Sequence, residues 1–317
     1  MKKTSTARPF LVLLSGALWI CAAINLSAQT YNYSEDYSGI TQLAQSGVTG
    51  AGVTQALLNN DCAPVAAANG LSYLYGLAPA AFAANPDTYT AVSDLITDMQ
   101  TSSDATDKVA GTTGANALSG LQAYLSPTGA NPAPYVFSTT TQITDPTVSS
   151  LGAALSANQA VQLGILWESF DANNVATGPY KGGGGHFVSL TGMNLTDSGG
   201  NITGSITVLD PWGNNSLNGD DGKAGVSALT LTLQVFTTTI GSATVIGVSY
   251  PSPGAANPQD TTTPDGTGPS MYGRGAFNNG YIEIADIECV PEPTTMSLLL
   301  LPFGAGALRM LRRNRAA

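Results

Sequence analysis

Apolar positions along this chain change their period near residue 160. Before that point they recur at helical spacing. Ala117, Leu118, Leu121 and Leu125 fall on one face and predict a helix over 113–125, with further helices over 88–99 and 148–157. The run from Cys62 through Ala63, Val65, Ala66, Ala67, Ala68, Leu71, Tyr73 and Leu74 is small and apolar, and it follows Asn59, Asn60 and Asp61, all favourable N-cap residues. A helix is therefore predicted over 62–75, with Pro64 tolerated in its first turn. Weaker helix-like stretches cover 40–46 and 53–58 in an otherwise loose segment from 29 to 60. Beyond 160, short alternating or β-branched runs predict strands at 160–167, 185–193, 204–209, 228–236, 243–250 and 281–287. Helices first and strands later make an α+β body. The segment 251–269, rich in Pro, Gly and Thr, reads as a loop or linker with no capacity for a core.

The two ends carry a different pattern. Residues 1–28 run from Lys2, Lys3 and Arg8 through an apolar stretch over 10–24 to Leu26-Ser27-Ala28, the layout of a secretory signal peptide cleaved after Ala28. Leu18-Trp19-Ile20 before Cys21 argue against a lipoprotein signal, so Cys21 leaves with the leader. At the other end, Pro291-Glu292-Pro293 precedes an apolar run over 296–308 and then Arg309, Arg312, Arg313 and Arg315. That run is short beside the roughly 20 apolar residues a permanent span needs, and the arginines suit a cytoplasmic flank. This three-part tail over 290–317 resembles the PEP-CTERM sorting signal. The resemblance implies a short transmembrane segment held transiently in the inner membrane, recognition by an exosortase-type sorting enzyme, cleavage near the Pro-Glu-Pro element, and delivery to the cell envelope or an exopolysaccharide matrix. A plain C-terminal membrane anchor is the competing reading.

Charge narrows the partners of the body. Residues 29–290 carry four basic side chains (Lys108, Lys181, Lys223 and Arg274) against 20 acidic ones, a formal charge of −16. A surface of that sign repels phosphate backbones, which argues against nucleic acid. Only Cys62 and Cys289 outlast the leader, too few for a disulfide framework. One histidine and two distant cysteines do not make a zinc site, and no cofactor is expected. Asn214, Asn218, Asp220 and Asp221 have the composition of a calcium loop but lack its alternating ligand spacing and terminal glutamate, so no metal is expected there either.

Three residues carry candidate chemistry. Cys62 opens a predicted helix, where unpaired amide N–H groups and the positive end of the dipole favour a thiolate. His186, the chain's only histidine, opens a predicted strand in GGGGHFVSLTGM, and Asp210 ends the next in ITVLDPWGN. A thiol nucleophile, an imidazole that accepts and returns its proton, and a carboxylate that orients the imidazole are what acyl transfer needs. Taken singly, each has an ordinary alternative: a packed cysteine, a structural histidine, a turn aspartate before Pro211. Taken in order, Cys, His and Asp in these contexts resemble the papain-like peptidases, in particular the branch akin to bacteriocin-processing peptidases. The resemblance covers about residues 50–250 and places one papain-like domain over 29–289. It implies an N-terminal helical part with the nucleophile at a helix start, followed by an antiparallel sheet carrying the histidine and the aspartate. It also implies a peptide or protein substrate; exopolysaccharide is a further partner that the sorting context suggests. The chain departs from the family at one place. Six residues before the cysteine, where the family has a glutamine that binds the oxyanion, this chain has Ala56. Gln55 and Asn60, with Asn59 beside it, are the nearby amides for that role. Without such a donor the same fold would be an inactive binding module of the matrix, and without any of the chemistry a structural protein.

Overall fold

The computed structural model describes residues 28–44, 62–100, 112–132, 140–179, 185–211, 228–250 and 279–288. The leader, the loop at 251–269, Cys289 and the C-terminal tail lie outside them, as do the stretch at 53–58, Gln55, Ala56, Asn59, Asn60 and the calcium-like loop residues. Among the described residues no helix is long and apolar enough to cross a membrane.

The body is α+β, with four α-helices and nine strands among the described residues. Strand β1 (Gln29–Ser34) comes first, then helices α1 (Cys62–Leu77), α2 (Tyr89–Gln100) and α3 (Gly114–Leu125). Strand β2 (Thr141–Thr144) and helix α4 (Val148–Ser156) follow. The remaining strands are β3 (Ala160–Phe170), β4 (Ala176–Pro179), β5 (Gly185–Ser198), β6 (Asn201–Asp210), β7 (Leu229–Ile240), β8 (Ala243–Ser249) and β9 (Asn279–Glu288). Every strand pair is antiparallel.

The sheet closes on itself. Its order is β1-β5-β6-β7-β8-β9-β3-β4, and β3 also pairs with β5, so β5, β6, β7, β8, β9 and β3 form a six-stranded barrel. The long β5 makes closure possible: its first half pairs with β3 from Leu166 to Val161, and its second half pairs with β1. Alternation then sorts side chains between two cores. Inside the barrel lie Val161, Leu163, Ile165, Val188, Leu190, Ile206, Val208, Leu231, Leu233 and Val248. Helix α4 adds Leu151, Ala154 and Leu155 to this core. Its start is fixed by a capping box between Thr147 and Ser150.

The second core lies between the outer wall and helices α1, α2 and α3. Helix α1 is buried from Ala63 through Leu74, and its alanines let it lie close against the barrel. Helices α2 and α3 approach so closely that a Cβ at Gly120 would sit 2.6 Å from the Met99 backbone nitrogen, which requires glycine there.

The segment at 40–44 is not helical, contrary to the helix-like reading of 40–46. Asn69 of α1 accepts the Leu43 N–H at 2.7 Å and donates to the Leu43 carbonyl at 2.9 Å. Both backbone groups that a helix would have used are taken by that one side chain, and Gln42 adopts a left-handed φ of 55°. Strands β1 and β2 precede helices and so depart from the expected order of helices first and strands later, and β4 lies where no strand was predicted.

Candidate active site

The mouth of the barrel gathers residues from strand ends that are far apart in sequence. His186 is the second residue of β5, Asp210 the last of β6, Trp167 lies near the end of β3, and Tyr250 directly follows β8. All four continue the inward-facing alternation of their strands. The glycine before the histidine has a packing cause: a Cβ at Gly185 would stand 2.5 Å from the Ile165 carbonyl oxygen of β3.

His186 and Asp210 form a buried ion pair, with Nε2–H donating to Asp210 Oδ1 at 2.8 Å and exposures of 2% and 0%. Burial pulls the imidazole's pKa down, but the charge and hydrogen bond of Asp210, together with Cys62, outweigh it and raise it to about 10. Cys62 neighbours the ring and adds to that upward shift. Because Nε2 is committed to Asp210, Nδ1 is the nitrogen left for the sulfur. The carboxylate thus fixes both the ring's orientation and its protonation, as a general acid and base requires. Among the described residues His186 is the only basic side chain, so nothing else there can neutralise Asp210.

Two aromatic rings wall this pair. Trp167 lies nearly parallel to the imidazole, with centroids 6.3 Å apart and planes at 13°, and Tyr250 meets Trp167 at 5.4 Å. The Tyr250 hydroxyl is pushed well above its usual range by burial first, then by Asp210 and Cys62, which keeps it a neutral neighbour. Excluding water here strengthens the ion pair by lowering the local dielectric. Sequence reasoning missed both rings as site residues. The signal was present: Trp167 and Tyr250 end the apolar alternations of predicted strands, so each stands at a barrel rim.

Cys62 is a free thiol at the first position of α1 and is partly exposed, whereas its partners are not. Its own N–H is one of the amides a helix start leaves unpaired, so it is a ready donor to an oxyanion. The start of α1 is held against the wall by two side chains. Gln162 Nε2 donates to the Ala63 carbonyl at 2.8 Å and Ser189 Oγ to the Ala66 carbonyl at 2.9 Å. Gln162 and Ser189 are register partners on β3 and β5, and Ser189 lies three residues after His186. One rung of the barrel therefore sets the height of Cys62 relative to the histidine. Sequence reasoning missed these two anchors as well, since nothing local marks a strand glutamine or serine as a helix anchor.

Among the described residues no group of three His, Cys, Asp or Glu side chains is placed to hold a metal ion. Gln55 and Asn60, the amides considered for the oxyanion, fall outside those residues. No protein-family model matches the chain, and comparison with curated proteins finds no match.

Proposed function

We propose that the chain is an exported, papain-like cysteine hydrolase that acts on peptide bonds and is sorted to the cell envelope or extracellular matrix by its C-terminal tail. The observation that carries the reading is the buried His186 imidazole, bonded through Nε2 to Asp210 and neighboured by the Cys62 thiol at the start of α1. In this mechanism His186 takes the Cys62 thiol proton as the sulfur attacks the substrate carbonyl, and the Cys62 N–H stabilises the resulting oxyanion. His186 gives its proton to the leaving amine as the C–N bond breaks and a thioester forms. Water, deprotonated by His186, then releases the acid and restores the thiol. Asp210 stays ionised throughout and holds the ring.

A second reading, an inactive papain-like module that binds peptide or exopolysaccharide, is favoured by one observation: Ala56 stands where the family's oxyanion glutamine would be. Loss of one such donor typically lowers the rate by about 10²- to 10³-fold without abolishing it, so the enzyme reading is preferred.

One experiment addresses both sorting and chemistry. Protein recovered from the surface of a host with an exosortase-type enzyme is expected to end near Pro291 to Pro293 by mass spectrometry. The same material is expected to cleave members of a broad peptide library, and a Cys62→Ala variant to cleave none. Surface protein retaining Arg315 contradicts the sorting proposal. A wild-type protein that leaves the library intact replaces the enzyme with the binding module.

A further inference from the structure

A cavity of about 410 Å³ opens on the outer wall of the barrel, where β1, β5, β6 and β7 run side by side next to the segment that follows β1. Its volume lies within the roughly 300–1,000 Å³ of small-molecule sites. Neither Cys62, His186 nor Asp210 lines it. Its wall mixes uncharged hydrogen-bonding groups, among them Asn32, Gln42, Asn194, Ser205 and Thr207, with the aromatic and apolar side chains of Tyr33, Tyr37, Met193 and Leu209, and it holds one carboxyl, Glu35. The register explains how they come together: Asn32 pairs with Asn194, Asn194 with Ser205, and a bulge between Leu190 and Gly192 bends β5 beside them. The wall is therefore a rigid piece of barrel.

The chemistry of this lining selects a ligand class. Apolar ligands would leave its amides and hydroxyls without partners, at a cost for each. Among the described residues no lysine or arginine offers an anion a countercharge. A cation would find one carboxyl, Glu35, and burial raises its pKa to about 8 against a smaller opposing pull from Tyr73, so it is largely neutral at pH 7. What remains is a neutral ligand that both donates and accepts hydrogen bonds around its whole rim, as the hydroxyl and amide wall does.

We propose that this cavity binds a neutral saccharide, independently of the candidate active site. Saturation-transfer NMR on the full exported chain, with glucose, galactose, mannose, N-acetylglucosamine and cellobiose at millimolar concentration, tests it, with glucuronate as the anionic comparison. At least one neutral sugar is expected to bind more tightly than glucuronate. Ser205→Trp, which fills the cavity, is expected to abolish that binding. Asn194→Ala, at an exposed position, is expected to weaken it about 10-fold, the loss of one or two hydrogen bonds of ordinary net strength. If Ser205→Trp does not fold, Asn194→Ala carries the test alone. Absence of binding by all five neutral sugars, tighter binding of glucuronate, or affinity unchanged in Asn194→Ala overturns the proposal. None of these outcomes depends on whether the protein cleaves peptides.

Discussion

Asp210→Ala is expected to destabilise the protein by about 3–5 kcal/mol and to reduce peptide turnover on the order of 10³-fold or more. The stability loss follows from burial. His186 is 2% exposed and Asp210 fully buried, so removing the carboxylate leaves an imidazole inside the barrel mouth with neither its counter-ion nor its Nε2 acceptor. The ring must then give up its proton to remain buried, and it loses the bond that orients it. Asp210→Asn separates the two effects, because the amide oxygen still accepts from Nε2 while the charge is gone. It is expected to fall between wild type and Asp210→Ala in both chemical denaturation and turnover. An Asp210→Ala variant as stable as wild type would show that the pair contributes nothing to the fold.

Raising the pH from 5 to 9 is expected to lower the melting temperature, with a stability loss on the order of a few kcal/mol. The groups responsible lie between α1 and the barrel wall. They are Asp286 and Glu288 from β9 and Glu35 from the segment after β1; Tyr37, on that same segment, and Tyr73 of α1 are neutral neighbours throughout this range. Burial is the leading cause in each carboxyl: it raises Asp286 to about 6 and Glu35 to about 8, and it lifts Glu288 well above the usual carboxylate range. Gln142 donates to one oxygen of Asp286 at 2.8 Å and pulls it partly back, while no described group bonds either oxygen of Glu288. Each group holds its proton more tightly folded than unfolded. Its stabilisation is therefore complete below the unfolded pKa near 4 and is lost as pH rises through the folded value. His186 adds the same sign at higher pH, its contribution being present below 6.5 and lost through about 10. Repulsion within an acidic body acts in the same direction, so Glu288→Gln is the control: it is expected to flatten the pH dependence, not merely shift it. A melting temperature that is level or rises from pH 5 to 9 would contradict this account.

Much of this architecture was legible in the sequence because it is local. The helix predicted over 62–75 is found at Cys62–Leu77, and that over 148–157 at Val148–Ser156. The strands predicted at 185–193 and 204–209 are found, longer, at Gly185–Ser198 and Asn201–Asp210. Closure of the barrel was not legible. It depends on β5 changing partner from β3 to β1 partway along its length, and no periodicity records a partner. Strand β1 was missed because Gln29–Ser34 is largely polar and exposed, with only Tyr31 buried. The order of Cys62, His186 and Asp210 pointed to the site. The groups that set its geometry, Trp167, Gln162 and Ser189, act across strands or onto a helix about a hundred residues away, and they became visible only in three dimensions.

The central claim is that Cys62 and His186 act as one chemical unit, and the most direct measurement of it is the rate at which iodoacetamide alkylates Cys62 at pH 6, followed by mass spectrometry at that residue. Alkylation proceeds through an anionic sulfur, and an imidazolium held by Asp210 places a positive charge beside it. His186→Ala, verified as folded by its far-UV spectrum, removes that charge. This variant is expected to be alkylated at least about 10-fold more slowly than wild type at pH 6. Equal rates in the two proteins would contradict it.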